Sequence, residues 1–398
     1  MNIDKVKVKK VNFDSNYKLN RLLYYLIRFY MIFAPAYMLI VKLIGVREAT
    51  YWKEIAYLIC FIFGFTTLIR SKFILIYIIL IFCTFLLELL RFHSYFEYFT
   101  WLIMGLPLIL YFQFVTAKDY LIDCYIIGGI IVFSLLWVVF FESTGKYSYF
   151  FVKESDTYSL TRDDLLRVRS FFVSPMALSQ YMWFATLVIF TNQNIVKPIK
   201  IVFISSALIV IFICNTRAAI LLSCLTLIIY VYNKYFKSNR ILTFALIVFF
   251  VLIIVVQMLL SISSGNSNVS VSDFDRINAI LFGFESISHN FLFGMGGMSF
   301  SSRSGKVLIF ENAYLPFVNS FGFLGLLIVL LLLYILVYIP VNKKILLFTI
   351  PWVSYSFIFP VYQEITPLII NWFIIGMILN QKRINKLLNA HKKIVSTK

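Results

Sequence analysis

Charge is what this sequence has least of. Only 14% of its 398 residues are Asp, Glu, Lys or Arg, against 61% hydrophobic and 19% aromatic residues. So small a polar supply cannot cover a water-soluble surface, and a disordered chain needs the opposite composition. Soluble and disordered classes are therefore excluded together. Histidine is nearly missing: His93, His289 and His391 are scattered and make no metal set. The five cysteines, Cys60, Cys83, Cys124, Cys214 and Cys224, lie in or beside apolar runs and show no C-x-x-C spacing. Neither a disulfide framework nor a zinc site is indicated. No phosphate-binding P-loop and no nucleophile elbow occurs. The sequence calls for no cofactor and no metal.

What the chain does have is apolar sequence in bilayer-sized lengths. A run of about 20 apolar residues satisfies its own backbone as a helix and crosses the hydrocarbon core. Such runs begin near Arg21, Ile55, Phe73, Tyr98, Leu121, Met176, Ile199, Ala218, Ile241, Ala313, Ile345 and Thr366, and the one from Ile55 to Ile69 is short. The expected fold is all-α: a polytopic integral membrane helical bundle of about 12 transmembrane helices. It forms a single transmembrane domain over residues 1–398, with two large external loops near 142–175 and 261–312. The amino end resembles a signal peptide, with a basic leader and Ala34-Pro35-Ala36, but apolar character continues through Val41. It reads as an uncleaved first span.

Orientation follows from the basic residues, because Lys and Arg in short loops stay cytoplasmic. With both termini inside, the inner segments hold 22 of the 36 basic residues and only Asp4, Asp14, Asp119 and Asp123 as acids. The outer segments balance 13 basic against 13 acidic residues, so the net +18 is cytoplasmic. Contact with anionic inner-leaflet lipid accounts for this charge, and nucleic acid is not a partner. Arg28 and Glu88, isolated charges within spans, are expected to pair.

Both long connections then face outward. In the first, Thr161 can cap a short helix in which Asp163 and Arg167 pair at four-residue spacing. Arg169 has no acid three or four residues away, so it can grip a phosphate in bidentate fashion or snorkel to headgroups. In the second, a polar tract from Ser261 to Ser272 precedes Phe274, Ile277, Leu281 and Phe284, spaced to share one face of a surface helix. Asp273-Phe274-Asp275 spells a D-x-D, but two acids at a helix start complement the dipole. His289 leads into Phe293-Gly294-Met295-Gly296-Gly297, whose backbone N–H groups can approach an anion or form a turn. Glu311-Asn312-Ala313-Tyr314 stands where this loop re-enters an apolar run. A carboxylate there is costly unless partnered or used. Between the connections, Asn215-Thr216-Arg217 is a tight polar break that holds a guanidinium near the outer surface.

The order of these motifs resembles the bacterial O-antigen and capsular polysaccharide repeat-unit polymerases, relatives of the O-antigen ligases. The resemblance rests on Arg169 with Phe171 to Pro175, Asn215 to Ala219, Arg276, Phe293 to Gly297, and Glu311 to Tyr314 ahead of Gly322. It covers roughly Arg162 to Leu330. Ligase-like members tend to show Ser-Arg where this chain has Thr216-Arg217, and His-Asn where it has Glu311-Asn312, so the second departure points away from a ligase.

The resemblance implies a metal-independent glycosyltransferase of the bacterial cytoplasmic membrane. It would transfer a growing glycan from undecaprenyl diphosphate to a sugar hydroxyl of the next lipid-linked unit. Its partners would be undecaprenyl-diphosphate-linked oligosaccharides, membrane lipids, a chain-length regulator and a flippase. Arg169, Arg217 and Arg276 suit the charge that develops on the departing diphosphate. Glu311 suits the base that takes the acceptor proton, with His289 in reserve, and Asn312 and Tyr314 suit positioning. Two other classes compete. One is a lipid-linked oligosaccharide flippase. The other is a transferase using polyprenyl-phosphate sugars, for which Glu48 and Glu54 would be the active acids.

Overall fold

The computed structural model describes residues 19–33, 35, 52–91, 102–142, 161–162, 165–166, 170, 172, 174–214, 216–235, 278, 281–296, 313–340, 343–357 and 365–384. These residues are overwhelmingly helical. In chain order, α1 covers 19–33, α2 Trp52–Leu68, α3 Lys72–Arg91, α4 Leu108–Phe114 and α5 Ala117–Trp137. Then come α6 at Pro175–Thr191, α7 at Lys197–Cys214, α8 at Arg217–Tyr235 and α9 at 281–290. The last three are α10 at Leu315–Leu333, α11 at Lys343–Ser356 and α12 at Ile365–Leu379. A π turn, Val138–Glu142, extends α5, and another, Tyr334–Tyr338, extends α10.

Four stretches are long and apolar enough to cross a bilayer: Lys72–Leu90, Ala117–Phe140, Lys197–Cys214 and Leu315–Tyr338. Ile55–Leu68, Ile220–Tyr232 and Thr366–Leu379 are shorter apolar helices. The chain is thus a helical membrane protein. Phe212 on α7 and Leu90 on α3 are 81% and 80% exposed, a waste in water but normal against lipid.

At the centre lies α12, whose residues from Thr366 through Ile378 are all buried. Phe373 meets Phe112 of α4 at 4.7 Å and Phe184 of α6 at 4.8 Å between ring centroids, both edge-on, as ring quadrupoles favour. The Trp372 ring packs edge-on to Tyr77 of α3 at 5.0 Å, and Gly105 lies against it where a side chain would collide. Trp183 of α6 stacks on Trp352 of α11, and Trp352 donates to Asn371 of α12 at 3.1 Å.

Some segments depart from the expectations. The run from Tyr98 is no uninterrupted span: its chain turns at residues 104–107, where Pro107 removes a donor, and only Leu108–Phe114 follows as helix. Two residues, Val115 and Thr116, then separate α4 from α5. Thr161 starts no helix, because Thr161–Arg162 pairs antiparallel with Leu165–Leu166. The intervening Asp163 and Asp164 are turn-favouring residues that compete with helix. On α9, Leu281 and Phe284 are exposed while Gly283 and Ser286 are buried, so the apolar residues point away from the protein. The run from Ile241 and the polar tract at 261–272 lie outside the described residues.

Candidate functional site

Two polar regions sit at opposite ends of the bundle. The first gathers the flanks of three of the motifs. Ser174 caps α6 by accepting from Ala177 N at 3.0 Å, with Pro175 in the first turn, which fixes where the helix starts. One turn in, Ser179 accepts a hydrogen bond from Thr216 Oγ1 at 2.8 Å, which ties the break before Arg217 to α6. The neighbouring Gln180 donates through Nε2 to the Tyr355 hydroxyl near the end of α11. Ala313 N donates to Ser356 O at 2.9 Å, which ties the start of α10 to the same end of α11. Tyr314 is buried with its ring 4.9 Å from Phe357. Ser179, Gln180, Thr216, Tyr355 and Ser356 are all uncharged and, apart from Tyr355's ring, polar; they are buried, so the described part of this seam is neutral and rich in hydroxyl and amide groups.

Just before α6, Ser170 is buried and has φ 50°, the one non-glycine residue with positive φ among those described. Left-handed serine is uncommon, and such strain persists only where surroundings impose it.

The glycines after α9 do something other than cradle an anion. Helix α10 is broken at Gly322, with φ 56° and ψ −128°, which frees carbonyl groups of the preceding turn. Met295 N donates to Asn319 O at 2.8 Å and Gly296 N to Ser320 O at 3.0 Å. Gly294 N is itself bonded to Asn290 O at 2.7 Å. Of the N–H groups expected to face a ligand, those of Met295 and Gly296 are therefore spent on the broken helix and that of Gly294 on the end of α9, while Gly297 lies outside the described residues. Gly294 and Gly322 both have positive φ, and a Cβ on either would strike the backbone of the other's segment.

The second polar region was not expected from the sequence. Arg28 ion-pairs with Asp123 of α5, not with Glu88 as expected. Hydropathy places a charge at a depth but says nothing of its direction around the helix axis, and α5 rather than α3 lies on the Arg28 side of α1. Asp123, 1% exposed, also accepts from the Tyr24 and Tyr111 hydroxyls, both at 2.7 Å. One level nearer the end, Arg21 pairs with Asp119 at 2.6 Å, and Asp119 also accepts from Thr116, the α5 N-cap. Successive arginines on α1 meet successive aspartates on α5, so the two helices run in the same direction.

Other basic residues share this end. Arg383 donates to Val115 O at 3.2 Å, and Lys200 donates to Asn192 O at 2.7 Å. Gln381 donates to Ile339 O at 3.5 Å, and Phe73 rests 5.8 Å from the Tyr334 ring, which bring the α2–α3 turn with Arg70 and Lys72 to the same end.

Of the expected site residues, Tyr314 lies in the neutral seam. Arg217 is the first residue of α8, next to Thr216, although its side chain lies outside the description. His289 is exposed on the last turn of α9 and none of the seam hydrogen bonds involves it. Arg169, Arg276, Glu311 and Asn312 lie outside the described residues. The sequence reading missed Ser179, Gln180 and Tyr355. Gln180 carried the available signal, as a carboxamide inside the apolar run after Pro175. No family model and no curated protein matches this chain.

Proposed function

We propose that the chain polymerises lipid-linked oligosaccharide repeat units at the outer face of a bacterial cytoplasmic membrane. The growing glycan leaves undecaprenyl diphosphate and joins a sugar hydroxyl of the next lipid-linked unit. About twelve spans with both termini cytoplasmic put the basic end of the bundle inside, in keeping with the positive-inside rule. The neutral seam is then outside.

One observation carries the reading: Thr216–Ser179, Gln180–Tyr355 and Ala313–Ser356 draw three separate motifs to one end of the bundle. Arg169 is adjacent in sequence to Ser170, Arg217 to Thr216, and Glu311 stands two residues before Ala313. In this reading Arg169 and Arg217, with Arg276, stabilise the departing diphosphate without a metal. Glu311 takes the proton of the acceptor hydroxyl, with His289 as the alternative base, while Asn312 and Tyr314 position the sugar. A chain-length regulator and a flippase would be its protein partners.

The test is purified protein in lipid with undecaprenyl-diphosphate repeat units. Ladders of lengthened glycan support the reading. Transbilayer movement of the lipid without lengthening would replace it with a flippase. That second reading draws on the Arg28–Asp123 network, since transporters keep ionisable groups within the bilayer. The network's charges, however, compensate one another and sit toward one end rather than at mid-depth.

A further inference from the structure

Buried carboxamides in this protein differ according to the end they lie toward. At the basic end, Asn192 uses both halves of its side chain: Nδ2 donates to Cys124 Sγ at 3.2 Å and Oδ1 accepts from Asn194 N at 2.9 Å. In the core, Asn371 Oδ1 accepts from Trp352 Nε1. At the other end, Gln180 is 0% and Asn319 2% exposed, and the carboxamide oxygen of each is buried with no hydrogen-bond partner among the described residues. Reversing the Gln180 amide would leave its nitrogen open instead, so one half lacks a partner in either orientation.

Orphaned hydroxyls such as Thr349 and Ser354 carry less weight, because a hydroxyl can turn to a carbonyl of its own helix. An amide oxygen only accepts. Leaving it dry and unpaired is costly, and buried polar groups are normally satisfied.

Position sharpens the point. Gln180 lies five residues into α6 and Asn319 four residues after Leu315, both about 6–8 Å from their helix starts at 1.5 Å per residue. Asn319 is held next to the Gly322 break, with its backbone carbonyl occupied by Met295 N. Broken helix at membrane depth is tolerated where it is buried in protein or lines a cavity, and strained backbone gathers at functional sites.

We propose that Gln180 and Asn319 form a sugar-recognition subsite whose two amide oxygens accept hydrogen bonds from hydroxyls of the lipid-linked glycan. This rests on the polymerase reading and names the part of the substrate that these residues take. The diphosphate bridge between lipid and sugar is ionised at neutral pH, has no donor to offer and is not the ligand of these oxygens. A neutral polyhydroxylated ring has several.

The experiment uses the full chain in lipid nanodiscs, with two probes: undecaprenyl-diphosphate oligosaccharide extracted from the producing cells, and undecaprenyl diphosphate stripped of its sugar. Fluorescence of the stacked Trp183–Trp352 pair, beside Tyr355, reports binding. Gln180→Met and Asn319→Leu keep side-chain volume and remove the acceptor. Each should weaken the sugar-bearing lipid about 5- to 150-fold and leave the bare lipid unchanged; Asn319→Leu should hold or raise the melting temperature, whereas Gln180→Met also gives up the bond to Tyr355. A fall in melting temperature for Asn319→Leu, or equal losses for both lipids in either variant, would make the amides structural and overturn the subsite. Wild-type protein that binds both lipids equally overturns the subsite alone. Wild-type protein that binds neither overturns the polymerase reading and this assignment with it.

Discussion

The two ends of this bundle solve the same problem, polar groups in an apolar medium, by opposite means. At the basic end every described carboxylate of the network is matched: Asp119 by Arg21 and Thr116, Asp123 by Arg28, Tyr24 and Tyr111. At the other end no ion pair appears among the described residues; hydroxyls, amides and backbone groups meet, and two amide oxygens are left over. A closed network holds helices together. A seam with acceptors to spare can receive something. The contrast separates a self-satisfied scaffold from the seam proposed as the site, without any appeal to catalysis.

Breaking the site end has the largest expected effect. If Glu311 is the base, Glu311→Gln keeps its shape but not its proton acceptance, and chain extension should fall by about two to four orders of magnitude with lipid-linked substrate still bound. Product ladders measure this; normal ladders from the variant would pass the role to His289. Arg217→Lys keeps the charge and loses the bidentate fork, so extension should drop at least several-fold at unchanged expression. Full activity would return Arg217 to headgroup contact.

Breaking the scaffold end should act on stability instead. Asp123→Asn leaves Arg28 without its counter-ion and should cost about 3–5 kcal/mol, read as a lowered denaturation midpoint in detergent. Replacing both partners, Arg28→Met with Asp123→Leu, should recover most of that loss, since a buried pair is often no better than an apolar one. A double variant as unstable as the single one would mean that the charges do more than hold each other. At the seam end, Gly322→Ala should likewise act on stability and cost about 1–3 kcal/mol, because alanine at φ 56° is strained and its Cβ would strike the carbonyl of Phe291. The smallest effect belongs to Arg21→Ala: its pair with Asp119 is part-exposed, and about 0.2–1 kcal/mol is expected. A loss as large as that of Asp123→Asn would erase the distinction between deep and shallow pairs.

Helical membrane character was legible from apolar run length alone, since a bilayer admits few backbone solutions. Partners around a helix were not. Arg28 and Glu88 both stand alone in apolar runs, whereas pairing depends on which faces pack, and Asp123 lies not in a loop but inside α5, which starts at Ala117. Gly294 and Gly296 signalled close backbone approach correctly but not its object, the broken turn of α10. A glycine marks where a side chain is intolerable and is silent about what fills the space. Gln180 passed unnoticed because a lone amide in an apolar run gains meaning only from Tyr355, 175 residues away.

That same separation in sequence has a cost in time for α1. Arg21 finds Asp119 only after 98 more residues have been made, on the order of 5–20 s at ordinary elongation rates. If α1 spans the bilayer, as the proposed topology has it, Arg28 enters during that interval without its aspartate. The first helix is therefore a poor guest of the insertion machinery until the fifth arrives, and a ribosome stalled between them would leave a nascent chain with a bare cation in lipid.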